Sequence, residues 1–463
     1  MSELPSGWAT ATLGTLAEFK YGKALPASTR DGGNFPVFGS NGIIGYHSEW
    51  LSAAPTIVIG RKGSVGEICF SDKNCSPIDT TYYVDDFATF DPKFFFYLLK
   101  TLSLENLNRS TAIPGLNRQD AYNLTIQVPP LAEQTRIAQK LDELLAQVDT
   151  LKARIEAIPT LLKRFRQSVL ATAVTGQLTE KWRTLNDAES VENYIQKIRS
   201  KRVEAWQETQ ENSQRKSQYK APDALLDENF PELPESWAYC SLSEVTSRVT
   251  YGLTVRPSYV EIGAPVISAK EIKSGVVDYE NANKISFADY ELQREKCKIF
   301  QGDVLFGKTG TIGSVARADK EIQCCSSQNI AVISPLINSK FLEIVLRSRL
   351  IQNLATRNIK TTAIPDLQLG VISRFPVPLS SEKEQIEIVR RVEQLFAFAD
   401  QLEAKVASAK SRIDLLARSV LAKAFRGELV QQDPSDEPAS VMLQNIKDQR
   451  AAATKATRGR KSI

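Results

Sequence analysis

Histidine is almost missing from this chain of 463 residues, which contains only His47. Metal sites built from several histidines are therefore excluded, and a catalytic pair of serine or cysteine with His47 is disfavoured, because His47 is better explained as a loop or strand-end residue. Six cysteines are present, but neither the pair Cys69 and Cys75 nor the pair Cys324 and Cys325 has the spacing of zinc ligands. We therefore expect no bound metal and thiols that stay reduced.

The chain also lacks long apolar runs and a large excess of charge. No run approaches the roughly 20 apolar residues that span a bilayer, and the first residues have neither the basic nor the apolar region of a secretory signal. We therefore expect a cytoplasmic protein with no membrane partner. The net charge is only +4, which disfavours strong non-specific binding to nucleic acid but leaves base reading by a few residues open.

What the sequence does contain is an internal repeat. Short segments recur in the same order: LPSGW at 4–8 and LPESW at 233–237, KYG at 20–22 and TYG at 250–252, GSVG at 63–66 and GTIG at 310–313, TAIP at 111–114 and 362–365. The longest match runs without a gap from Glu133 and from Glu384, as EQTRIAQKLDELLAQVDTLKARIEA against EQIEIVRRVEQLFAFADQLEAKVAS. The chain is therefore a duplication of one globular and one helical segment.

The globular segments, residues 1–130 and 233–380, alternate short β-type runs with glycine turns. Each also contains a stretch with the pattern of one helix, DPKFFFYLLKTLSLENL in the first and NSKFLEIVLRSRLIQNLA in the second. These patterns predict two α+β domains of similar fold. Because the domains differ in sequence while the helical segments match, we expect two different specificities on one framework.

The helical segments, residues 131–183 and 381–430, carry an apolar stripe with heptad spacing, which predicts long helices with a seam of roughly 45–50 Å. The seam residues are Ile137, Leu141, Leu144, Val148, Leu151, Ile155 and Leu162 in the first, and Ile388, Val392, Leu395, Leu402, Val406 and Ile413 in the second. We expect the helices to pack as an antiparallel coiled coil around a pseudo-twofold axis, with the domains at its opposite ends. Homodimerisation through each stripe is the alternative.

Charged, glutamine-rich sequence follows each helical segment. Residues 184–232 predict a helix followed by an exposed linker, and residues 431–463 predict a charged tail. Gly176 and Gly427 stand where the two long helices are expected to end.

The stretch GDVLFGKT, Gly302–Thr309, has the spacing of a phosphate-binding loop. Such a loop must leave a strand and open a helix, but the glycine-containing run that follows Thr309 favours a second strand. Superposing the repeats at GSVG and GTIG places Arg61 opposite Lys308 and Lys62 opposite Thr309, so the first copy lacks the hydroxyl. Both copies are better explained as a strand, TIVIG or DVLFG, that enters a tight basic turn. A P-loop NTPase remains the alternative.

Two unlike domains held apart by stiff helices suit a DNA target with two unlike half-sites around an unread gap, because half-sites roughly 34 Å apart face the same side of the duplex. The layout resembles that of the specificity subunits of type I restriction–modification enzymes. The matching motifs are LPxxW at the start of each half, PPLAEQ…IAQKLDELLAQVDTLKARIEAIPTLLKRFRQSVL…GQLTEKWR in the middle, and EKEQIEIVRRVEQLFAFADQLEAKV…SVLAKAFRGEL near the end. The resemblance covers nearly the whole chain.

The resemblance implies that each domain is a target recognition domain for one half of a bipartite sequence in double-stranded DNA, and that the helices dock two methyltransferase subunits. In that family the complex methylates adenine with S-adenosylmethionine, and restriction/translocase subunits use ATP and Mg²⁺. The chain itself has no NPPY-type motif, no glycine-rich cofactor motif between a strand and a helix and no intact helicase motif set. We therefore expect a non-catalytic subunit without a cofactor of its own. A coiled-coil scaffold protein whose domains bind protein is the alternative.

Candidate DNA-binding residues are polar side chains on the two basic turns and on the nearby loops, because Arg, Lys, Asn and Gln read base edges while Ser and Thr mostly hold phosphates. In the first domain they are Lys20, Tyr21, Lys23, Ser40, Asn41, Arg61, Lys62, Ser64, Arg109, Ser110 and Thr111. In the second domain they are Tyr251, Arg256, Lys270, Lys308, Thr309, Thr311, Gln328, Asn329, Arg357, Lys360 and Thr361. We expect the turns after TIVIG and DVLFG and the loops before AIP to face DNA.

Overall fold

The computed structural model describes residues 4–107, 115–186, 189–212, 218–226, 228–255, 257–273, 275–360 and 364–448. The chain divides into two compact units. The first combines Met1–Glu156 with Val406–Ile463, and the second is Ala157–Lys405. Each unit therefore contains one globular domain and one part of each long helix. Within the described ranges, no helix is both long and apolar enough to cross a membrane.

The first domain is a mixture of small sheets and short helices. Its strands are β1 (Ala9–Thr12), β2 (Lys20–Tyr21), β3 (Phe35–Gly39), β4 (Gly42–His47), β5 (Thr56–Gly60), β6 (Ile68–Ser71), β7 (Ser76–Pro77), β8 (Thr81–Val84) and β9 (Thr125–Val128). Its helices are α1 (Leu13–Leu16), α2 (Pro92–Thr101) and α3 (Arg118–Tyr122). An antiparallel sheet has the order β2-β8-β5-β6, a second sheet the order β4-β3-β7, and β1 pairs with β9 where the chain enters and leaves the domain.

A long helix, α4 (Leu131–Val174), leaves the first domain and is followed by α5 (Glu180–Leu185) and α6 (Val191–Asn212). The second domain has the strands β10 (Ala238–Ser241), β11 (Thr246–Tyr251), β12 (Ala264–Ile267), β13 (Ile272–Lys273), β14 (Val276–Val277), β15 (Lys284–Ile285), β16 (Val304–Gly307), β17 (Val315–Arg317), β18 (Cys325–Ser326), β19 (Ile330–Pro335) and β20 (Pro376–Leu379). Its helices are α7 (Phe287–Cys297), α8 (Ser339–Arg347), α9 (Arg349–Arg357) and α10 (Leu369–Ile372), and the long helix α11 (Glu382–Ala424) follows.

The second domain repeats the sheets of the first. Its antiparallel sheet has the order β11-β19-β16-β17, β15-β12-β18 corresponds to β4-β3-β7, and β10 pairs with β20 as β1 pairs with β9. The register also repeats, because Tyr21 lies opposite Tyr82 and its counterpart Tyr251 lies opposite Ala331. Every residue of the apolar strands β5 and β16 is buried, as expected for central strands. The α+β architecture with a repeated domain is thus confirmed.

The glycine of each Tyr-Gly segment is required by a close backbone approach. A Cβ added at Gly22 would lie 2.1 Å from the carbonyl oxygen of Ile78, and one added at Gly252 would lie 1.6 Å from that of Ser326. No side chain fits at either place. The repeated KYG and TYG segments therefore record a packing constraint of the sheet.

The repeated LPxxW and EQ motifs meet in a hydrogen bond. The indole Nε1 of Trp8 donates to Glu133 Oε2 at 3.1 Å, and that of Trp237 donates to Glu384 Oε2 at 2.9 Å. All four residues are buried. Each bond ties the start of a domain to the first turn of the long helix that follows it.

The glutamine of each EQ motif holds a second helix. Asp91 and Asn338 cap α2 and α8 with their side chains, which accept hydrogen bonds from two backbone N–H groups of the first turn. The backbone N–H groups of the same two cap residues donate to Gln134 at 3.0 Å and to Gln385 at 3.2 Å. The EQ pairs are therefore structural in both halves.

The two long helices run antiparallel within the first unit. Lys152 on α4 lies 3.8 Å from Asp414 on α11. Glu156, one turn later on α4, lies 4.0 Å from Lys410, which is one turn earlier on α11. The partners advance in opposite directions along the chain, which confirms the predicted antiparallel pairing here.

The second unit shows the same direction of pairing. The guanidinium of Arg166 binds Asp400 at 2.6 Å and Glu403 at 2.8 Å, and Arg391 donates to the carbonyl of Leu178 at 2.7 Å. The two helix segments of the second unit therefore also pair antiparallel within one chain, as predicted. The helices end as predicted, with Gly176 (φ 74°) and Gly427 (φ 73°) in the left-handed conformation just beyond them.

Most of the predicted seam is buried, with one exception. The buried members are Ile137, Leu141, Val148, Leu162, Ile388, Val392 and Ile413, and the half-buried ones are Leu144, Ile155, Leu395, Leu402 and Val406. Leu151 is 44% exposed, so its prediction as a seam residue is wrong. The apolar core of the first domain extends along α4 to Leu145, and Leu151 lies beyond that cover.

The helix expected at NSKFLEIVLRSRLIQNLA is two helices, α8 and α9. They are separated by the buried Ser348, whose backbone is extended (φ −67°, ψ 155°). The Ser348 hydroxyl donates to the carbonyl of Val345 at 2.6 Å. A serine that bonds the preceding turn competes with helix continuation, which explains the break.

The segment expected as a helix and an exposed linker packs on the second domain. Val191, Tyr194 and Ile198 on α6 are buried in that domain's core. The linker after α6 is also attached to the domain, because the side chain of Arg374 donates to the backbone carbonyls of Ala224 and Leu225, both at 3.1 Å. The linker between 218 and 226 is therefore held in place.

The charged tail packs in the same way on the first domain as far as it is described. Residues 439–448 are helical, and Met442, Leu443 and Ile446 are buried in the core of the first domain. The N–H of Ala439 donates to the carbonyl of Gly7 at 2.9 Å. A segment from the end of the chain thus completes the domain at its beginning.

Two cysteines that are far apart in the sequence meet in the second domain. Cys297 at the end of α7 and Cys325 on β18 lie side by side, with their Cα atoms 4.8 Å apart. The fold brings them together because Lys298 forms a β-bridge with Cys325. Among the described residues, no group of histidine, cysteine and acidic side chains could hold a metal ion.

Candidate nucleic-acid interface

The basic turn of the first domain joins β5 to β6. The N–H of Gly66 donates to the carbonyl of Gly60 at 2.8 Å and closes the turn. The backbone of Arg61 is held on both sides, because its N–H donates to Thr80 at 3.0 Å and its carbonyl accepts from Leu116 at 2.9 Å. The turn is thus fixed between β8 and the residues that follow the first Ala-Ile-Pro loop.

The second domain has the same turn between β16 and β17. The N–H of Gly313 donates to the carbonyl of Gly307 at 2.9 Å. Lys308 occupies the place of Arg61, since its N–H donates to Asn329 at 2.9 Å and its carbonyl accepts from Leu367 at 2.8 Å. Both domains therefore present one backbone frame with different side chains.

This geometry contradicts the P-loop alternative at Gly302–Thr309. The residues after Thr309 lead into β17, which pairs antiparallel with β16, whereas a P-loop opens a helix. The Lys308 ammonium, which would reach phosphates in a P-loop, binds Asp366 at 3.0 Å.

In the first domain, two guanidinium groups surround an exposed tyrosine. The Tyr21 side chain is 52% exposed, and the Cζ atoms of Arg61 and Arg118 lie 5.3 Å and 5.2 Å from its ring centre. Arg61 also lies 5.7 Å from the ring of the buried Tyr82, and its Nη2 donates to the carbonyl of Asp79 at 2.5 Å. Within the described ranges, neither arginine is ion-paired with a carboxylate. The site is cationic and rich in hydrogen-bond donors.

Tyr82, the buried tyrosine of this group, stays uncharged. Burial raises the pKa of the Tyr82 hydroxyl to about 12, a hydrogen bond with Tyr21 adds to the shift, and the two arginines oppose it. The Tyr82 hydroxyl donates to the carbonyl of Leu116 at 3.2 Å. Tyr82 therefore acts as a fixed apolar surface under Arg61.

In the second domain, the equivalent turn carries a cation that is already paired. The Lys308 ammonium lies 5.6 Å from the ring centre of Tyr251 and binds Asp366 Oδ1 at 3.0 Å. The Thr309 hydroxyl donates to the same oxygen at 2.5 Å. These two bonds, that of Thr309 first, lower the pKa of Asp366 below its ordinary value. The site therefore presents a carboxylate beside a neutralised lysine.

A cleft in the second domain brings several predicted residues together. It has a volume of about 380 Å³ and opens beside the basic turn. Four predicted DNA-binding residues are in its wall, Lys270, Thr309, Thr311 and Asn329, together with Tyr259, Val266, Ser268, Ala269, Asn283, Gly310 and Ser327. The cleft is lined mainly by small polar groups.

The remaining candidates of the first domain are exposed or engaged within the domain. Lys20 binds Asp85 at 2.5 Å, and this bond is the main cause of its raised pKa. The Ser40 hydroxyl donates to the carbonyl of Thr80 at 2.8 Å, next to the turn. The exposed candidates are Lys23, Asn41, Lys62 and Ser64.

The remaining candidates of the second domain are spread around its turn. Gln328 is exposed, Arg357 on α9 lies 3.8 Å from Glu228, and the backbone N–H of Lys360 donates to the carbonyl of Asp366 at 3.0 Å. The other predicted residues lie outside the described ranges, namely Arg109, Ser110, Thr111, Arg256 and Thr361.

Sequence reasoning missed three residues of these two sites, Tyr82, Arg118 and Asp366. Asp366 follows the repeated TAIP directly, so a residue-by-residue comparison of the repeats at that point would have found it opposite Gly115. Tyr82 and Arg118 carry no such signal, because only the sheet register and the start of α3 bring them to Tyr21.

Comparison with known proteins agrees with the repeated architecture. Residues 5–160 and 235–408 match the family described as type I restriction modification DNA specificity domain. The chain is 36% identical over 380 residues to the specificity subunit of the type I restriction enzyme EcoBI from Escherichia coli, covering 79% of this chain and 73% of that subunit. It is 28% identical over 477 residues to the EcoDI specificity subunit from Escherichia coli, covering 97% of each.

Solved structures show the same fold. One chain, from a study of complex assembly and conformational transition of the type I R-M system, has a TM-score of 0.58 at 16% identity, covering 93% of this chain and all of that one. The HsdS subunit from Thermoanaerobacter tengcongensis has a TM-score of 0.51 at 18% identity, covering 92% of this chain and 99% of that one. At these identities the likeness concerns the fold alone.

Proposed function

Because the chain belongs to the family of type I restriction modification DNA specificity domains, we propose that it is the DNA-recognition subunit of a type I restriction–modification complex. Each domain reads one half of an asymmetric, bipartite sequence in double-stranded DNA. The paired helices set the gap between the halves and dock two methyltransferase subunits. The observation that carries this proposal is that one turn occurs in both domains with different side chains.

The different side chains support an asymmetric target. A palindromic site would be read by two identical surfaces, whereas Arg61 in the first domain forms no ion pair within the described ranges and Lys308 in the second is paired with Asp366. Donor groups and acceptor groups complement different base edges in the major groove. Two such unlike surfaces call for two unlike half-sites.

The long helices support the docking of partner subunits. Their outward faces carry large apolar side chains that are about half exposed or more, namely Leu161, Ile386, Phe398, Leu415 and Leu416. Exposed apolar side chains of this kind on a soluble surface mark interaction sites when they cluster. We assign these faces to the methyltransferase subunits.

Chemistry belongs to the partners in this proposal. The methyltransferase subunits hold S-adenosylmethionine and methylate adenine, and restriction/translocase subunits use ATP and Mg²⁺. The chain itself is non-catalytic and acts on DNA in the cytoplasm. Its relatives are named specificity subunits, which supports this division of labour.

Mapping methylated adenines in a genome that carries this protein and its partners tests the proposal. We expect one sequence with two unlike halves around a gap of fixed length, methylated throughout the genome. If the chain were a coiled-coil scaffold whose domains bind protein, no sequence-dependent methylation would require it. Deletion of its gene would then remove no methylated site. That result would overturn the proposal.

A further inference from the structure

The residue that faces the basic turn differs between the two domains. In the first domain Lys62 forms a β-bridge with Gly115, and in the second Thr309 forms the equivalent bridge with Asp366. The neighbouring hydrogen bonds are the same, because Leu116 and Leu367 donate to the carbonyls of Arg61 and Lys308. Position 115 in one domain and position 366 in the other therefore occupy one place in the fold.

Because Gly115 has no side chain, the first site lacks a counterpart of the Asp366 carboxylate at this position. Arg61 has its planar guanidinium near the rings of Tyr21 and Tyr82, and Nη2 is held by the carbonyl of Asp79. The Nε atom is buried, so Nη1 and the second hydrogen of Nη2 are the donor groups that remain for a ligand. A guanidinium fixed in this way is prepared for a pair of acceptors in one plane.

The carboxylate at Asp366 gives the second site an acceptor. Lys308 and Thr309 both bond to Oδ1, so Oδ2 is the oxygen that remains for a ligand, and the side chain is 37% exposed. An ionised carboxylate accepts hydrogen bonds and donates none. Its complement on DNA is the amino group of a base, N4 of cytosine or N6 of adenine.

We propose that this one position sets the kind of base edge that each domain reads. Arg61, left without a carboxylate by Gly115, binds the two acceptors O6 and N7 of a guanine in the half-site of the first domain. Asp366 binds the exocyclic amino group of a base in the half-site of the second domain, while Lys308 and Thr309 position its carboxylate. This inference rests on the proposed function and adds the chemistry of the contacts.

The test uses the complex of the full chain with its methyltransferase subunits. The variants Asp366→Asn and Arg61→Lys are compared with the wild type by mapping methylated adenines and by measuring binding to duplexes that carry single base-pair changes. Asp319→Asn is the matched control, since Asp319 is an exposed carboxylate of the second domain whose backbone carbonyl accepts from Gln301. Thermal unfolding of each variant reports on folding.

Each variant has a separate expected result. Asp366→Asn should reduce the preference for an amino-bearing base roughly tenfold at one position in one half, and leave the other half unchanged. The base preferred by the wild type at that position distinguishes cytosine from adenine. Arg61→Lys should reduce the preference for guanine by about the same factor at one position in the other half. Asp319→Asn should methylate the wild-type sequence.

Two outcomes would overturn the inference. One is an unchanged sequence in both variants, and the other is a loss of binding that is equal for all sequences, which a phosphate contact would produce. Should Asp366→Asn unfold, Asp366→Gly carries the test, because it reproduces the residue of the first domain at the same place. If the wild-type complex methylates no defined sequence, the proposed function fails. If the wild-type complex methylates a defined sequence and the variants methylate the same sequence, only this inference fails.

Discussion

At the scale of single residues, two equivalent carboxylates lie in unequal surroundings. Besides its tryptophan, Glu384 accepts hydrogen bonds from Thr179 at 2.7 Å and Arg183 at 3.0 Å. Glu133 accepts from Trp8, but its Oε1 is buried and has no hydrogen-bond partner within the described ranges. Burial raises the pKa of Glu133 above its ordinary value, against the effects of Trp8 and Arg136. The ionised form of Glu133 is therefore costly.

We expect Glu133→Gln and Glu384→Gln to have different effects on stability. A raised folded-state pKa means that the folded protein binds the proton more tightly, so stability contributed by Glu133 falls as the pH rises from the unfolded pKa through the folded one. Glu133→Gln removes this loss, keeps an acceptor for Trp8, and should be neutral or stabilising at pH 7. Glu384→Gln loses a charged hydrogen bond to Arg183 and should cost about 2 kcal/mol.

Urea unfolding followed by hydrogen exchange in each domain, at neutral and mildly acidic pH, measures both variants. The difference in stability between wild type and Glu133→Gln should shrink as the pH falls. Equal destabilisation by the two variants would contradict the assignment of Glu133 as the under-satisfied carboxylate.

Two glycines of the second domain should differ sharply when replaced. Gly252→Ala places a Cβ 1.6 Å from the carbonyl oxygen of Ser326, so the strand must shift, at a cost of about 3 kcal/mol or more. Gly302→Ala meets no atom within 4 Å and costs only the strain of a positive φ of 93°, about 1 kcal/mol. Denaturant unfolding compares them. A larger loss of stability for Gly302→Ala than for Gly252→Ala would contradict the packing argument.

At the scale of elements, periodicity predicted the long helices well but did not predict which side chains meet around Tyr21. The seam spacing predicts both α4 and α11 because each helix buries one stripe over many turns. The break at Ser348 was not visible, because a buried serine that bonds the preceding turn looks like any serine in an amphipathic pattern. The site around Tyr21 was partly visible, since Arg61 lies on a glycine turn, while Arg118 reaches it only through the packing of α3.

Burial along α4 predicts unequal costs for two seam leucines. Leu141 is fully buried in the core of the first domain, so Leu141→Ala should destabilise that domain by about 2–5 kcal/mol. Leu151 is 44% exposed, and Leu151→Ala should cost less than about 1 kcal/mol. Chemical denaturation of both variants, monitored by hydrogen exchange in the first domain, gives the comparison. Similar losses would show that the middle of the helix is packed more tightly than described.

At the scale of the whole molecule, each domain is completed by a segment from outside it in the sequence. Residues 439–448 pack on the first domain, and α6 packs in the same manner on the second. The charged composition of both segments predicts exposure instead, because the buried residues Val191, Tyr194 and Ile198 stand among charged and polar side chains in the sequence. Two complete, unlike domains on one frame are what an asymmetric DNA target requires.

Replacement of one domain tests this account most directly. Residues 1–130 are exchanged for the first domain of another family member, the helices are left intact, and methylated adenines are mapped with the same methyltransferase partners. We predict that one half of the sequence changes, while the other half and the gap between the halves stay the same. A change in both halves, or in neither, would contradict independent reading by the two domains.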